Sequence, residues 1–181
     1  DSNVLIGNTA LYGATGGKLF VQGQAGERFA VRNSNAIAVI EGAGDHLCEY
    51  MTGGRVVVIG PVGRNFGAGM TGGLAYVYDP FGSFRDRFNS ESDKILKEIT
   101  EEGDFEILEL IEEHARLTDS YIAREILNDW ENQRRCFVQI VPRSELDNPA
   151  VLPNRDCELI LNKEESDLDQ VYDTKTGGFV S

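Results

Sequence analysis

The chain contains no run of 18 apolar residues, so no segment is long enough to cross a bilayer as a helix. Its three cysteines, Cys48, Cys136 and Cys157, are odd in number, far apart and never in a C-x-x-C pair. That spacing argues against a disulfide framework and favours a reducing compartment. Histidine is scarcer still, with only His46 and His114, which leaves few imidazoles for a metal site. Positive charge is also short: 17 Lys and Arg stand against 30 Asp and Glu, for a net charge of −13. A surface of that sign does not neutralise nucleic-acid phosphates. The opening Asp1-Ser2-Asn3 has neither an initiator Met nor a signal-like segment, and reads as part of something longer.

What is present is unevenly placed. Residues 1–80 hold 16 of the 20 glycines, with 5 basic and 6 acidic side chains; residues 81–181 hold the other 12 basic and 24 acidic ones. Two regimes meet near Asp79-Pro80. We expect glycine-rich repeats over 1–80, an acidic helical extension with a final strand over 81–142, and an acidic tail over 143–181.

The glycine-rich part repeats itself. Thr15-Gly16-Gly17, Asn33-Ser34-Asn35, Thr52-Gly53-Gly54 and Thr71-Gly72-Gly73 each lead into a short apolar strand. Laid on one another, these strands give one column of Val21, Val39, Val58 and Val77 and a second of Leu19, Ile37, Val56 and Ala75. Columns two residues apart share one strand face. Only about a dozen residues separate the strands, with further strand candidates at Arg28–Arg32 and Leu47–Met51. A coil of about 19 residues that must stack on its neighbours is the pattern of a parallel β-helix.

Two motifs compete with that reading. Gly67-Ala-Gly69-Met-Thr-Gly72 matches G-x-G-x-x-G, but a dinucleotide fingerprint needs its glycines directly after a strand and opening a helix. Here a new strand begins at Leu74 and no crossover helix fits. His46 and Cys48 suggest a thiolate or metal site, yet no second cysteine is near, and a buried Cys48 serves equally as a small hydrophobe. Arg28, Arg32, Arg55 and Arg64 could bind anions, or pair with Glu27, Glu41 and Asp45. No catalytic, cofactor-binding or metal residue is assigned.

With the valine column inward, Phe20, Ile40, Val57, Ile59, Tyr76 and Tyr78 point outward together. That apolar face is either a contact surface for another domain or the seat of the chain's own helices. In the acidic part, Ser92–Ile99 carries Ile95, Leu96 and Ile99 on a helical stripe. Asp104 can cap a helix marked by Phe105, Leu108, Ile111 and Ala115. Thr118-Asp119-Ser120 breaks it and caps another, with Tyr121 or Ile122, Ile126 and Trp130 on one side. Cys136–Pro142 reads as a strand closed by proline.

The strings Gly7-Asn8-Thr-Ala-Leu-Tyr-Gly-Ala-Thr-Gly16, Gly26-Glu-Arg-Phe-Ala-Val-Arg-Asn33, Gly44-Asp-His46, Cys48-Glu-Tyr-Met-Thr-Gly-Gly54 and Gly63-Arg-Asn-Phe66 strongly resemble the C-terminal domain of the glutamate synthase large subunit. Leu110–His114, Ala123–Leu127, Trp130 and Phe137–Pro142 are similar to the helical extension and last strand of the same subunit. The likeness covers about residues 3–142 and implies a right-handed parallel β-helix with a helical extension. It implies a parent that hydrolyses glutamine, passes the ammonia to 2-oxoglutarate, and reduces the imine with electrons delivered through an iron–sulfur cluster and FMN. Its partners would be the amidotransferase and FMN domains of the same chain, and a small reductase subunit or ferredoxin, in cytoplasm or plastid. The glycine-rich coil also resembles the C subunit of formylmethanofuran dehydrogenase, an accessory piece of another oxidoreductase.

Overall fold

The structure, a computed structural model, describes residues 4–88 and 94–152. Four parallel strands stack side by side: β2 (Lys18–Val21), β4 (Ile37–Ile40), β5 (Thr52–Val58) and β6 (Gly72–Tyr78). Each belongs to a successive turn of a coil that winds about four times. A second side is formed by β1 (Val4–Ile6), which pairs in parallel with β3 (Gln24–Ala25), and it continues through bridges from Ala25 to Ala43 and Ala43 to Val62. The chain is a parallel β-solenoid, as the repeats predict.

The third side is not the pair of strands expected at Arg28–Arg32 and Leu47–Met51. Those segments bend, with positive φ at every second residue: Arg28, Ala30 and Arg32, then His46, Cys48 and Tyr50. Their amides still form ladders between coils. Gly13 N–H bonds to Val31 O, Arg32 N–H to Glu49 O and Tyr50 N–H to Ala68 O, so one column climbs through Gly13, Arg32, Tyr50 and Gly69. Backbone pairing survives because every buried amide needs a partner, whichever φ region supplies it. Positive φ is rare for bulky side chains, and no periodicity rule anticipates it.

The coils approach closely where glycine allows. A Cβ on Gly60 would stand 2.1 Å from the carbonyl oxygen of Glu41 in the coil before, closer than any side chain tolerates. Backbone contact, not a ligand, explains such glycines.

The strand columns differ from the valine count by one residue in the second coil. Val21 pairs with Ile40, Ile40 with Val58 and Val58 with Val77. Ala38 and Ile40 therefore point into the coil, and Ile37 and Val39 point out. The reason is spacing: Ala25 bridges to Ala43 and Ala43 to Val62, 18 and 19 residues on, so the second coil is one residue shorter after its strand. All four residues of β4 are apolar because both of its faces are covered, and alternation is then silent.

The acidic part covers the outer face and the last coil. β8 (Phe137–Pro142), buried throughout, pairs antiparallel with β6, and β7 (Lys94–Glu98) pairs with β8, giving a six-stranded sheet. The helical stripe read over 92–99 is thus a strand from Lys94 on, held by the β8 ladder; its first two residues lie outside the described residues. α1 (Ser83–Arg87) follows β6, and Asp79 accepts the amides of Phe84 and Arg85 at its start, 3.0 Å each.

α2 (Glu101–Thr118) is capped by Thr100, whose hydroxyl accepts Gly103 N–H at 3.1 Å; Asp104, the expected cap, lies inside the first turn. α2 buries Ile107, Leu110, Ile111 and His114, whereas Phe105 is 70% exposed. Asp119 ends α2 in the left-handed region, and Ser120 caps α3 (Tyr121–Asn128) through Ala123 N–H, as read from the sequence. α3 turns Ala123 and Ile126 inward. α4 (Trp130–Gln133) leads back to β8.

Candidate functional site

The outward sheet face is where the sequence placed a contact surface, and it is the chain's second core. Val39, Val57, Ile59, Leu74 and Tyr76 pack with Ile107, Leu110, Ile111, Ala123 and Ile126, with Phe20, Ile37 and Tyr78 at the margin. Five of the six expected surface residues, Phe20, Val57, Ile59, Tyr76 and Tyr78, do share this face, which β8 extends at the sheet edge, but α2 and α3 cover it. Ile40 is not among them, since its side chain lies inside the coil. The acidic helices, amphipathic and needing a seat, win that surface.

Polar side chains fasten the helices to the sheet. Tyr76 Oη donates to Glu106 Oε2 at 2.5 Å, and Arg55 Nε donates to Glu106 Oε1 at 2.7 Å. Gln139 Nε2 reaches both Tyr76 Oη, at 3.1 Å, and Ala150 O, at 2.9 Å. Burial pushes the Tyr76 phenol up, and the Glu106 charge adds to that, so Tyr76 stays a neutral donor.

A second clasp holds the α2–α3 elbow. Glu41 Oε1 accepts a hydrogen bond from Ser120 and lies 3.4 Å from His114 Nε2. His114 is fully buried, and its Nδ1 has no hydrogen-bond partner. Burial pushes its pKa down, with Glu41 acting in the opposite sense. The Ser, His and Glu types suggest a hydrolase, but the geometry refuses it. Ser120 Oγ donates its proton to the Glu41 carboxylate and accepts Ala123 N–H as the cap of α3, so the hydroxyl is not presented to the imidazole as a triad requires.

The motifs singled out in the sequence find structural places. Gly67 and Gly69 are at positive φ in the bent ladder, and Gly72 begins β6, so no helix follows to meet a pyrophosphate. His46 Nδ1 pairs with Glu49 at 2.7 Å, and Cys48 sits wholly inside the coil. Arg64 pairs with Asp45 at 2.9 Å. Among the described residues no group of three or more His, Cys, Asp and Glu side chains comes together as a metal site does.

An open cleft of about 420 Å³ beside the start of α2 is lined by Thr100, Asp104, Arg134, Arg135 and Phe137 among others. Its charges already serve each other, with Arg134 bonded to Asp104 at 2.9 Å and within 3.3 Å of Glu131. Sequence reasoning missed this pair, the Glu106 hub and the Glu41 clasp. Each links residues 30 to 79 positions apart, and only the choice of apolar face for α2 could have brought them near.

A covered parallel β-solenoid with short close-packed glycine corners is a distinctive class of domain, and comparison with known proteins agrees. A family model described as GXGXG motif matches residues 1–143. The ferredoxin-dependent glutamate synthase of Pyropia yezoensis is 59% identical over 145 residues, covering 80% of this chain and 9% of that protein. Ferredoxin-dependent glutamate synthase 2, chloroplastic, of Arabidopsis thaliana is 48% identical over 174 residues, covering 96% of the chain and 10% of the relative. That alignment runs beyond residue 143, so the tail too has a counterpart there. The glutamate synthase [NADH] of Schizosaccharomyces pombe is 51% identical over 144 residues, 79% of the chain and 7% of the relative. The chain belongs to the GXGXG-motif family, as a domain of the kind glutamate synthases carry. It spans about a tenth of the length of the relatives it matches.

Proposed function

We propose that the chain serves a glutamate synthase as a structural domain, holding the amidotransferase and FMN domains in register without taking part in the chemistry. The parent reaction would convert glutamine, 2-oxoglutarate and reductant into two glutamates, with ferredoxin or a reductase subunit as the electron source. The observation that carries this reading is the double use of one sheet. Its inner face fills the coil and its outer face is clamped under α2 and α3, making a stiff two-core body. Stiffness is what ammonia transfer between separate sites asks of a support, because small misplacements cost rate.

An iron–sulfur cluster and FMN would belong to other domains of that parent. A cluster is held by thiolates. Cys48 is enclosed in the coil and its thiol is pushed up by burial, the opposite of what a ligand needs. Cys136 is half-buried at the foot of β8, and Cys157 lies outside the described residues. The described cysteines do not fit a cluster.

The test is made in the full-length enzyme. A flexible Gly/Ser insert of about 15 residues placed just before Val4 should loosen the domain from what it supports. Glutamine hydrolysed per glutamate formed should then rise. An unchanged ratio would sink the scaffold reading, as would a flavin spectrum on the purified 181-residue chain.

A further inference from the structure

The glycine corners of the coil are covered by the coil that follows. The carbonyl oxygen of Ser34 would stand 2.1 Å from a Cβ on Gly53, and that of Thr52 2.3 Å from one on Gly72. Among the described residues no fifth coil follows to cover the last corner, Thr71-Gly72-Gly73. β8 does not reach it either, because its register along β6 runs only from Ala75 to Tyr78.

That corner is closed all the same. After β8 the chain makes a single 3-10 turn at Arg143–Glu145 and lies across it. Ser144 Oγ donates to Thr71 O at 2.5 Å, and Gly73 N–H donates to Glu145 Oε1 at 2.7 Å. A hydroxyl and a carboxylate thus serve the carbonyl and the amide of the corner. Asn148 Nδ2 holds the other carboxylate oxygen of Glu145 at 2.8 Å. Further on, Ala150 O accepts Thr100 Oγ1 at 2.9 Å, Lys97 Nζ donates to Val151 O at 3.0 Å, and Val151 is buried in the second core. The strap is therefore pinned at both ends.

The first coil carries the same kind of corner, Thr15-Gly16-Gly17, with open space around it. A Cβ on Gly17 would meet nothing within 4 Å, and one on Gly16 only Asn35 Nδ2 at 4.0 Å.

We infer that residues 143–151 form an end cap that takes the place of a fifth coil at the last glycine corner and keeps a second copy of the chain from stacking there. Stacked repeats need a capping element at their ends, and an edge of unpaired donors and acceptors recruits other chains. Without the strap, Thr71 O and Gly73 N–H would face the Thr15–Gly17 corner of another copy, much as Ser34 O faces Gly53. Such head-to-tail contact does not close on itself, so it would propagate.

The test uses the 181-residue chain with Ser144→Ala and Glu145→Ala combined. Residue-resolved hydrogen exchange by NMR should show the Gly73 amide about tenfold faster in this variant, the scale of one hydrogen bond to a charged group. The Thr52 amide, bonded to Asn33 O inside the coil, should keep its rate. In sedimentation velocity the native chain should run as a monomer and the variant should associate as concentration rises. Adding Gly16→Val, which places a side chain on the stacking corner, should return the variant to a monomer. Glu145→Gln alone keeps an acceptor for Gly73 and should stay protected and monomeric. Unchanged exchange at Gly73, equal acceleration at Thr52, a monomeric double variant, or association indifferent to Gly16→Val would each overturn the proposal.

Discussion

Tyr76, on the outer face of β6, donates its phenolic proton to Glu106 on α2 at 2.5 Å, across 30 residues of sequence. It is one of the polar contacts that fasten helix to sheet above the second core. Glu106 also takes Arg55 from the neighbouring strand, so a single carboxylate ties two coils to the helix. Tyr76→Phe keeps the ring in the second core and deletes only the donor. Glu106 retains Arg55 and some access to water, and Gln139 retains Ala150 O. Loss of about 1–2 kcal/mol is expected, the scale of one hydrogen bond to a charged group. Tyr76→Ala should cost about 3–5 kcal/mol, since it also empties a buried site. Urea unfolding of the two variants, followed by circular dichroism, separates these terms; a Tyr76→Phe variant as stable as the native chain would show that the hydroxyl is idle.

Two glycines make a matched pair for the steric account of the coil. A Cβ on Gly60 meets the backbone of Glu41 at 2.1 Å, whereas one on Gly16 has Asn35 Nδ2 at 4.0 Å as its nearest neighbour. Gly60→Ala should therefore destabilise by about 2–3 kcal/mol, because backbone atoms must part. Gly16→Ala should change stability by no more than about 0.5 kcal/mol. The comparison is made with urea midpoints, and similar effects at both sites would contradict close coil contact as the reason for glycine.

How much of this was legible in the sequence varies with the physics at each place. The coil was, because Val56 and Val58 repeat against Ala75 and Val77 at one spacing and glycines mark the corners. The face of β4 was not. Ile37, Ala38, Val39 and Ile40 are apolar on both sides, so only the shorter corner before Ala43 sets which residues turn in. The seat of the helices was half legible: amphipathic helices and an apolar sheet face stood in the same chain, but nothing local said they would meet. Ile95 and Leu96 read as a helix because five residues cannot separate periods of 2 and 3.6, and β8 decided the matter by pairing. The positive-φ ladder was invisible, since Arg28, Ala30, Arg32, Cys48 and Tyr50 are residue types that seldom adopt that region.

Cys48 offers a check on the interior. Its side chain is fully enclosed and burial raises its thiol pKa, so little thiolate is available to react. Iodoacetamide at pH 8 should label Cys136, which is half-buried, well before Cys48. Cys48 should gain reactivity only as the coil unfolds in denaturant. Early labelling of Cys48, located by peptide mapping, would contradict a closed coil.

The Glu41 clasp predicts a dependence on pH, with a sign that follows from burial. The His114 pKa is lowered in the folded chain relative to the ordinary value of about 6.5, first by desolvation and in spite of Glu41. Above the unfolded pKa neither state binds the proton, and the clasp contributes in full. As pH falls through that value the unfolded chain takes up a proton that the folded chain refuses, so stability declines until the folded pKa is passed. Glu41, Ser120 and the ring of Phe20 are the groups around this imidazole, and Glu41 is the only charge among them. His114→Gln keeps a donor for Glu41 and removes the titration. Between pH 7.5 and pH 5.5 the urea midpoint of the native chain should fall more than that of the variant. Because other groups titrate in both proteins, the difference between the two slopes is the quantity that carries the test. Parallel slopes would place the proton of His114 in both states alike, and the buried clasp would lose its electrostatic role.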